Sequence, residues 1–218
     1  MSIITLATSK GGAGKTTLAQ ISVGTVHELG YSVGVIDGDV NGTMSAWLTR
    51  SANLDVECLR VRDESQIVPT AHALRARHDL VVIDTAGGPS QATLFAIGCS
   101  DLVLIPLQLS NGDVVEAAKT YNVVQSACEM VERDIPGRLV FTEYTPKTNI
   151  AKHVRKQTKK RELPTMRTRL HHLVAFKELT FSGKVPKKGT AAAQGQLLVD
   201  EIVAMGCLSL GSQMKKAS

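Results

Sequence analysis

The stretch Ile3-Ile4-Thr5-Leu6-Ala7-Thr8-Ser9-Lys10-Gly11-Gly12-Ala13-Gly14-Lys15-Thr16-Thr17 decides the fold. Ile3 to Thr8 reads as a buried strand. A glycine-rich turn follows, and helical spacing runs from about Thr16 to Leu29, ended by Gly30. Glycines let successive backbone N–H groups turn inward and cradle phosphate oxygens. The helix behind them adds the positive end of its dipole. Ser9 to Thr16 reads S-K-G-G-A-G-K-T, the tail of G-x-x-x-x-G-K-S/T with the first glycine replaced. In such a loop Lys15 reaches the β- and γ-phosphates of a nucleotide, and the Thr16 hydroxyl binds Mg²⁺.

Outward from this unit, apolar runs of strand length alternate with helical segments. Strands are expected at Val33–Ile36, Val56–Val61, Leu80–Ile83, Leu102–Ile105 (stopped by Pro106), Leu139–Phe141 and Thr165–Leu170. Helical spacing covers Ser65–Arg77, a long segment capped by Asn111 or Asp113 and reaching about Arg133, Ile150–Arg161 and Gly189–Met205. The alternation predicts an α/β fold: one mostly parallel twisted sheet of about seven strands with helices on both faces. With 43% hydrophobic but only 4% aromatic residues, Val, Ile, Leu and Ala must build the core. The 218 residues are expected to form one domain, with a tail that frays from about 209.

Acids stand at two strand ends. Asp37 and Asp39 close the second strand in Val-Ile-Asp-Gly-Asp-Val-Asn, and Asp84 closes Leu-Val-Val-Ile before Thr85-Ala86-Gly87-Gly88-Pro89. Ligands of open α/β sheets sit beyond the carboxyl ends of the strands, so these carboxylates are expected to face the phosphate loop. Asp84 then holds Mg²⁺ through water. The competing reading of the Asp37/Asp39 pair is a helix N-cap.

Lys10 adds a second lysine, giving K-G-G-x-G-K-S/T. This resembles the deviant Walker A motif of the ParA/MinD/NifH family of P-loop ATPases. The resemblance implies ATP and Mg²⁺ as cofactors and a nucleotide-sandwich homodimer. In it Lys10 touches the nucleotide of the partner chain, much as an arginine finger does. By the same resemblance Lys10 through Thr17 are expected to bind nucleotide, Lys10, Lys15, Asp39 and Asp37 to be catalytic, and Thr16, Asp37 and Asp84 to serve the metal. Asp39 lies near the attacking water and Asp37 supports the metal's water shell. The glycines after Asp84 resemble a γ-phosphate sensor. Pro106 with Gln108–Asp113 resembles a segment near the dimer interface, although Asp113 reads equally as a cap. The chain departs from many members in carrying Asp39-Val40-Asn41 where they read D-x-D-P-Q. It starts directly at the first strand, so the small type without an N-terminal winged-helix domain is expected.

The net charge of +5 is unevenly spread. Lys147 to Lys188 holds thirteen Lys/Arg against Glu162 and Glu178, a local +11 that leaves −6 for the rest. Lys152, Arg155, Lys156, Lys159, Lys160 and Arg161 form a cationic helix face, joined by Arg167, Arg169, Lys187 and Lys188. Such a stripe suits the DNA backbone with little sequence readout. The resemblance agrees, implying ATP-dependent non-specific DNA binding and a ParB-like adaptor that stimulates a slow ATPase. No stretch approaches the roughly 20 apolar residues of a membrane span. Cys58, Cys99, Cys128 and Cys207 are widely spaced and read as buried thiols in a reducing compartment. The expected location is therefore cytoplasmic and nucleoid-associated. His171-His172 reads as incidental.

The leading expectation is thus an ATPase that partitions or positions a DNA-borne cargo. An accessory ATPase of conjugative or T-DNA transfer competes with it, because Asp-x-Asp-x-Asn and Asp-Thr-x-Gly-Gly resemble such a member. A MinD-like membrane-positioning ATPase, an ATP-dependent ligase of the same fold and a degenerate scaffold rank lower. The basic region argues against the ligase, and intact Lys15, Thr16, Asp39 and Asp84 argue against the scaffold.

Overall fold

Seven parallel strands form a single sheet in the order β3-β2-β4-β1-β5-β6-β7. They are β1 (Ser2–Leu6), β2 (Val33–Asp37), β3 (Glu57–Arg60), β4 (Leu80–Asp84), β5 (Leu102–Leu107), β6 (Gly137–Tyr144) and β7 (Thr165–His171). Among the described residues, eight α-helices cover it: α1 (Lys15–Glu28), α2 (Thr43–Arg50), α3 (Ile67–Arg75), α4 (Gln91–Gly98), α5 (Asn111–Val131), α6 (Asn149–Lys160), α7 (Val174–Ser182) and α8 (Gly189–Ala204). The computed structural model describes residues 1–51, 53–88 and 90–208. Pro89 and the tail expected to fray from about 209 lie outside the described residues. Among those described, no helix is long and apolar enough to cross a membrane.

Every residue of β1, β2, β4 and β5 is buried. That explains their unbroken apolar runs, since a parallel strand is covered on both faces. Alternate side chains go to opposite layers. Ile4 and Leu6 pack with α1, α2, α7 and α8. Ile3 packs with α3 and α4, while Val103 and Ile105 meet α5 and α6.

Three expectations need correction. Pro106 does not stop β5, which runs on to Leu107. Leu104 accepts from Ala7 N–H across the β1 side. Pro106, two residues on, faces the same side, where β1 has ended, so its missing N–H is not needed. The cap of α5 is neither Asn111 nor Asp113 but Ser110, whose hydroxyl accepts from Asp113 N–H at 3.1 Å. Ser110 Oγ also donates to Asp113 Oδ2 at 2.6 Å, which ties the Asp113 side chain to the cap residue. Cys99 and Cys207 are buried as expected, but Cys58 and Cys128 are only half-buried; all four are free thiols.

Helices α2, α4 and α7 leave no periodic signal in the sequence. Each has only eight or nine residues, too short for a periodic pattern to stand out. Tertiary contacts define them instead. Trp47 of α2 is fully buried and donates its indole N–H to Leu179 O of α7 at 2.8 Å.

The β3 edge is pinned by ion pairs. Glu57 accepts from Arg77 Nη2 at 2.6 Å and Nε at 2.9 Å, and pairs with His78 Nε2 at 2.8 Å. The Arg77 and then the His78 hydrogen bonds hold its carboxyl down to about 2, from 4.5. Its contribution to stability is therefore complete above pH 4.5 and lost as pH falls through about 2. Glu57→Gln is expected to lower the melting temperature by about 1–3 °C at pH 7, because the site is solvent-screened. The difference should vanish in melts as pH approaches 2.

Candidate nucleotide site and basic groove

Gly14 is the N-cap of α1 with φ +93°, and Gly12 has φ +75°. Both lie in the left-handed region that a side chain resists. No side chain caps α1, so the N–H groups of its first turn are directed into the loop and free for an anion. Lys15, the first helical residue, is only 7% exposed. Burial pulls its ammonium below the usual range, opposed by the charges of Asp84 and Asp39.

Thr16 Oγ1 donates to Asp84 Oδ2 at 2.8 Å. Asp84 is completely buried, and its Oδ1 has no partner. Burial pushes this carboxyl up to about 7, against the opposing Thr16 hydrogen bond and Lys15 charge. A buried, unpaired carboxylate oxygen beside a threonine hydroxyl fits a hard cation that takes its other ligands from phosphate and water. The residues therefore fit Mg²⁺. The segment after Asp84 lies on the loop: Gly88 N–H donates to Thr8 O at 3.1 Å. A Cβ on Gly87 would stand 3.4 Å from Gly11 Cα and 3.6 Å from Lys15 Nζ.

Asp37 and Asp84 are register partners on adjacent strands, so β2 and β4 bring the acids together. Both Asp37 oxygens are already committed. Oδ1 accepts from Asp39 N–H at 3.1 Å; Oδ2 accepts from Ser45 N–H at 2.8 Å and Ser45 Oγ at 2.7 Å. Asp37 thus anchors the first turn of α2 from the end of β2, but it is not the N-cap weighed above: that position is Gly42, which makes no side-chain cap. Asp39 Oδ1 accepts from Asn41 N–H at 2.8 Å and Asn41 Nδ2 at 2.9 Å.

Lys10 Nζ forms an ion pair with Asp113 Oδ1 at 2.7 Å. Asp113 thereby serves both α5 and the phosphate loop. Asp113 raises the Lys10 pKa, first through the hydrogen bond and then through its charge. Sequence reasoning missed the neighbouring contacts. Ser9 N–H donates to Thr120 Oγ1 at 2.9 Å, and Ser9 Oγ donates to Glu116 Oε2 at 2.8 Å. Positions 113, 116 and 120 share one face of α5, so this spacing was a signal available in the sequence.

The expected DNA residues divide. Lys152, Arg155, Lys156, Lys159, Arg167 and Arg169 line a groove of about 760 Å³ between α6 and β7, with Glu162 as its single acid among the lining residues. The Arg169 guanidinium lies 5.3 Å above the Tyr144 ring, and its buried Nε has no partner. Lys160 and Arg161 are exposed at the end of α6, outside the groove lining. Lys187 and Lys188 are not brought to it either. They precede α8, which packs on the opposite face of the sheet, and Lys187 pairs with Glu28 of α1 at 2.9 Å.

His171 and His172, read above as incidental, lie near the phosphate loop. A pocket of about 400 Å³ opens from Gly12, Gly14 and Thr17 of the phosphate loop toward Thr142, Glu143, His171, Phe176 and Lys177. His172 pairs through Nδ1 with Glu143, while Lys177 Nζ lies 3.2 Å from His172 Nε2.

Comparison with known proteins agrees with this geometry. A protein ParA of Rhizobium radiobacter is 30% identical over 147 residues, covering 67% of this chain and 66% of the relative, just under two thirds of its length. A protein virC1 of the same organism is 28% identical over 190 residues, covering 84% and 82% of the two chains. The cell division ATPase MinD of Pyrococcus furiosus superposes with a TM-score of 0.75 at 16% identity, over 94% of this chain and 99% of that one. The family model described as VirC1 protein matches residues 1–196. The chain therefore belongs to the VirC1 protein family and has the fold of the ParA/MinD-type P-loop ATPases.

Proposed function

We propose that the chain is an ATP-hydrolysing switch of the ParA type, which binds DNA as an ATP-bound homodimer and lets go after hydrolysis. The observation that carries this reading is the Thr16–Asp84 hydrogen bond of 2.8 Å, with the second Asp84 oxygen unpaired beneath an uncapped helix N-terminus. The loop and α1 hold the phosphates, and Lys15 neutralises the β- and γ-oxygens. Thr16 and Asp84 hold Mg²⁺, which spreads the phosphate charge when bound. Phosphoryl transfer needs positioning and charge stabilisation more than a strong base. Asp39 turns from Asn41 to orient the attacking water, and Asp37 keeps that loop in place through Ser45. Lys10 leaves Asp113 and engages the partner's nucleotide. Turnover is slow until a ParB-like adaptor stimulates it. The work is partition or positioning of a plasmid, a chromosome region or another cargo, in the cytoplasm on the nucleoid.

The groove between α6 and β7 supports backbone binding, because six cations face one acid there. With ATP and Mg²⁺, affinity for unrelated duplexes is expected to fall roughly a thousandfold between about 50 and 200 mM salt if six phosphates are neutralised. Arg155→Ala and Lys156→Ala should each reduce that slope by about one, equally for all sequences. Salt-insensitive binding would remove the groove from the account.

The VirC1 family match favours a second reading, an accessory ATPase of conjugative or T-DNA transfer. A nuclease footprint confined to one DNA site, without any adaptor, supports it over partition.

A further inference from the structure

The pocket beside the phosphate loop has the character of a nucleoside seat. Leu18 and Ile21 of α1, Leu170 of β7 and Phe176 of α7 give it apolar walls, and its volume is about 400 Å³. Its polar end is Glu143, and the backbone has been bent to place that residue. Glu143 has φ +51°, in the left-handed region. The β6–β7 register shifts between Phe141 and Tyr144, so Glu143 sits on a bulge near the carboxyl end of β6. Bulges beside functional sites re-aim side chains, and a non-glycine residue at positive φ is held there by its surroundings.

The holding chain can be read atom by atom. An ammonium only donates, so Lys177 Nζ, 3.2 Å from His172 Nε2, fixes that nitrogen as an acceptor. The ring proton therefore sits on Nδ1 and is donated to Glu143 Oε2. His172 N–H is in turn fixed by Tyr144 O at 3.2 Å. One Glu143 oxygen is occupied by His172, and the carboxylate lines the pocket with acceptor capacity left.

We propose that Glu143 determines nucleoside specificity by accepting a hydrogen bond from the bound nucleotide, with His172 and Lys177 as the positioning residues that hold its carboxylate. The inference rests on the nucleotide-binding reading above. Its ligand chemistry is an N–H or O–H donor on the nucleoside, either the exocyclic amino group of the base or a ribose hydroxyl. A ligand that lacks the donor forgoes a charge-assisted hydrogen bond to the carboxylate.

The test is calorimetric titration of the full chain with Mg²⁺ and nucleoside diphosphates, which bind without turnover. ADP is compared with purine riboside diphosphate, which lacks the amino group, and with 2′-deoxy- and 3′-deoxy-ADP. Wild type is expected to lose about tenfold or more in affinity for one of these analogues, and which one identifies the donor. Glu143→Gln and Glu143→Ala should bind ADP about tenfold more weakly and no longer distinguish that analogue. His172→Phe should reduce the ADP-to-analogue ratio, which a purely structural defect would leave unchanged. Equal binding of all four ligands by wild type overturns the proposal, as does unchanged preference in both Glu143 variants. Absence of ADP binding to wild type would instead overturn the nucleotide reading, and this inference with it.

Discussion

Lys15→Ala is expected to abolish ATP-dependent DNA binding, with a loss of at least a hundredfold. Lys15 is 7% exposed and its charge is held against desolvation by Asp84 and Asp39 alone among its named partners. A buried ammonium is a poor way to stabilise a fold. Here it waits for phosphate oxygens, which the uncapped first turn of α1 also awaits. Removing it takes away the strongest positive charge in the loop while relieving a desolvation penalty. The apo variant should therefore melt near the wild-type temperature. Wild type at a hundredfold excess of ATP over its dissociation constant gains about 2.7 kcal/mol, or about 5–10 °C for a chain of this size. The variant should show no such shift in the same thermal melt.

Lys10→Ala is expected to separate binding from the switch. Lys10 is nearly half exposed, and its present partner is Asp113 of the same chain. That partner is buried, with the Asp113 side chain 7% exposed, so the apo variant is expected to melt somewhat below wild type. ATP should still raise the melting temperature of the variant by nearly the wild-type amount. Yet the ATP-bound mass by light scattering should stay that of a monomer, and hydrolysis should fall by about a thousandfold or more, as when an arginine finger is removed. A variant that loses the thermal shift as well would place Lys10 at its own chain's nucleotide and not at the partner's.

The two variants also mark what the sequence could reveal. Lys15, Thr16 and Asp84 were legible because a phosphate loop and a strand-end acid use fixed local spacing, and the structure brings Thr16 and Asp84 within hydrogen-bonding distance. The parallel sheet was legible for the same reason, since doubly covered strands read as unbroken apolar runs. What escaped depends on contacts between distant segments. The helices α2 and α7 are short and are tied to each other through Trp47 and Leu179, 132 residues apart. Glu143 and His172 meet across 29 residues because of a bulge that no residue pattern announces. Charge counting was legible but coarse: it found the cations of the groove and also counted Lys187, which lies on the other face against Glu28. Pro106 misled because a proline usually ends a strand, and only the position where β1 stops shows that its N–H is not needed.

The central claim is that nucleotide state controls DNA binding. Fluorescence anisotropy of a labelled duplex of arbitrary sequence, titrated with the protein and Mg²⁺ in ATP, in ADP or without nucleotide, tests it most directly. The account predicts tight binding in ATP alone, with ADP and nucleotide-free titrations weaker by at least tenfold. Equal affinity in all three conditions would contradict it.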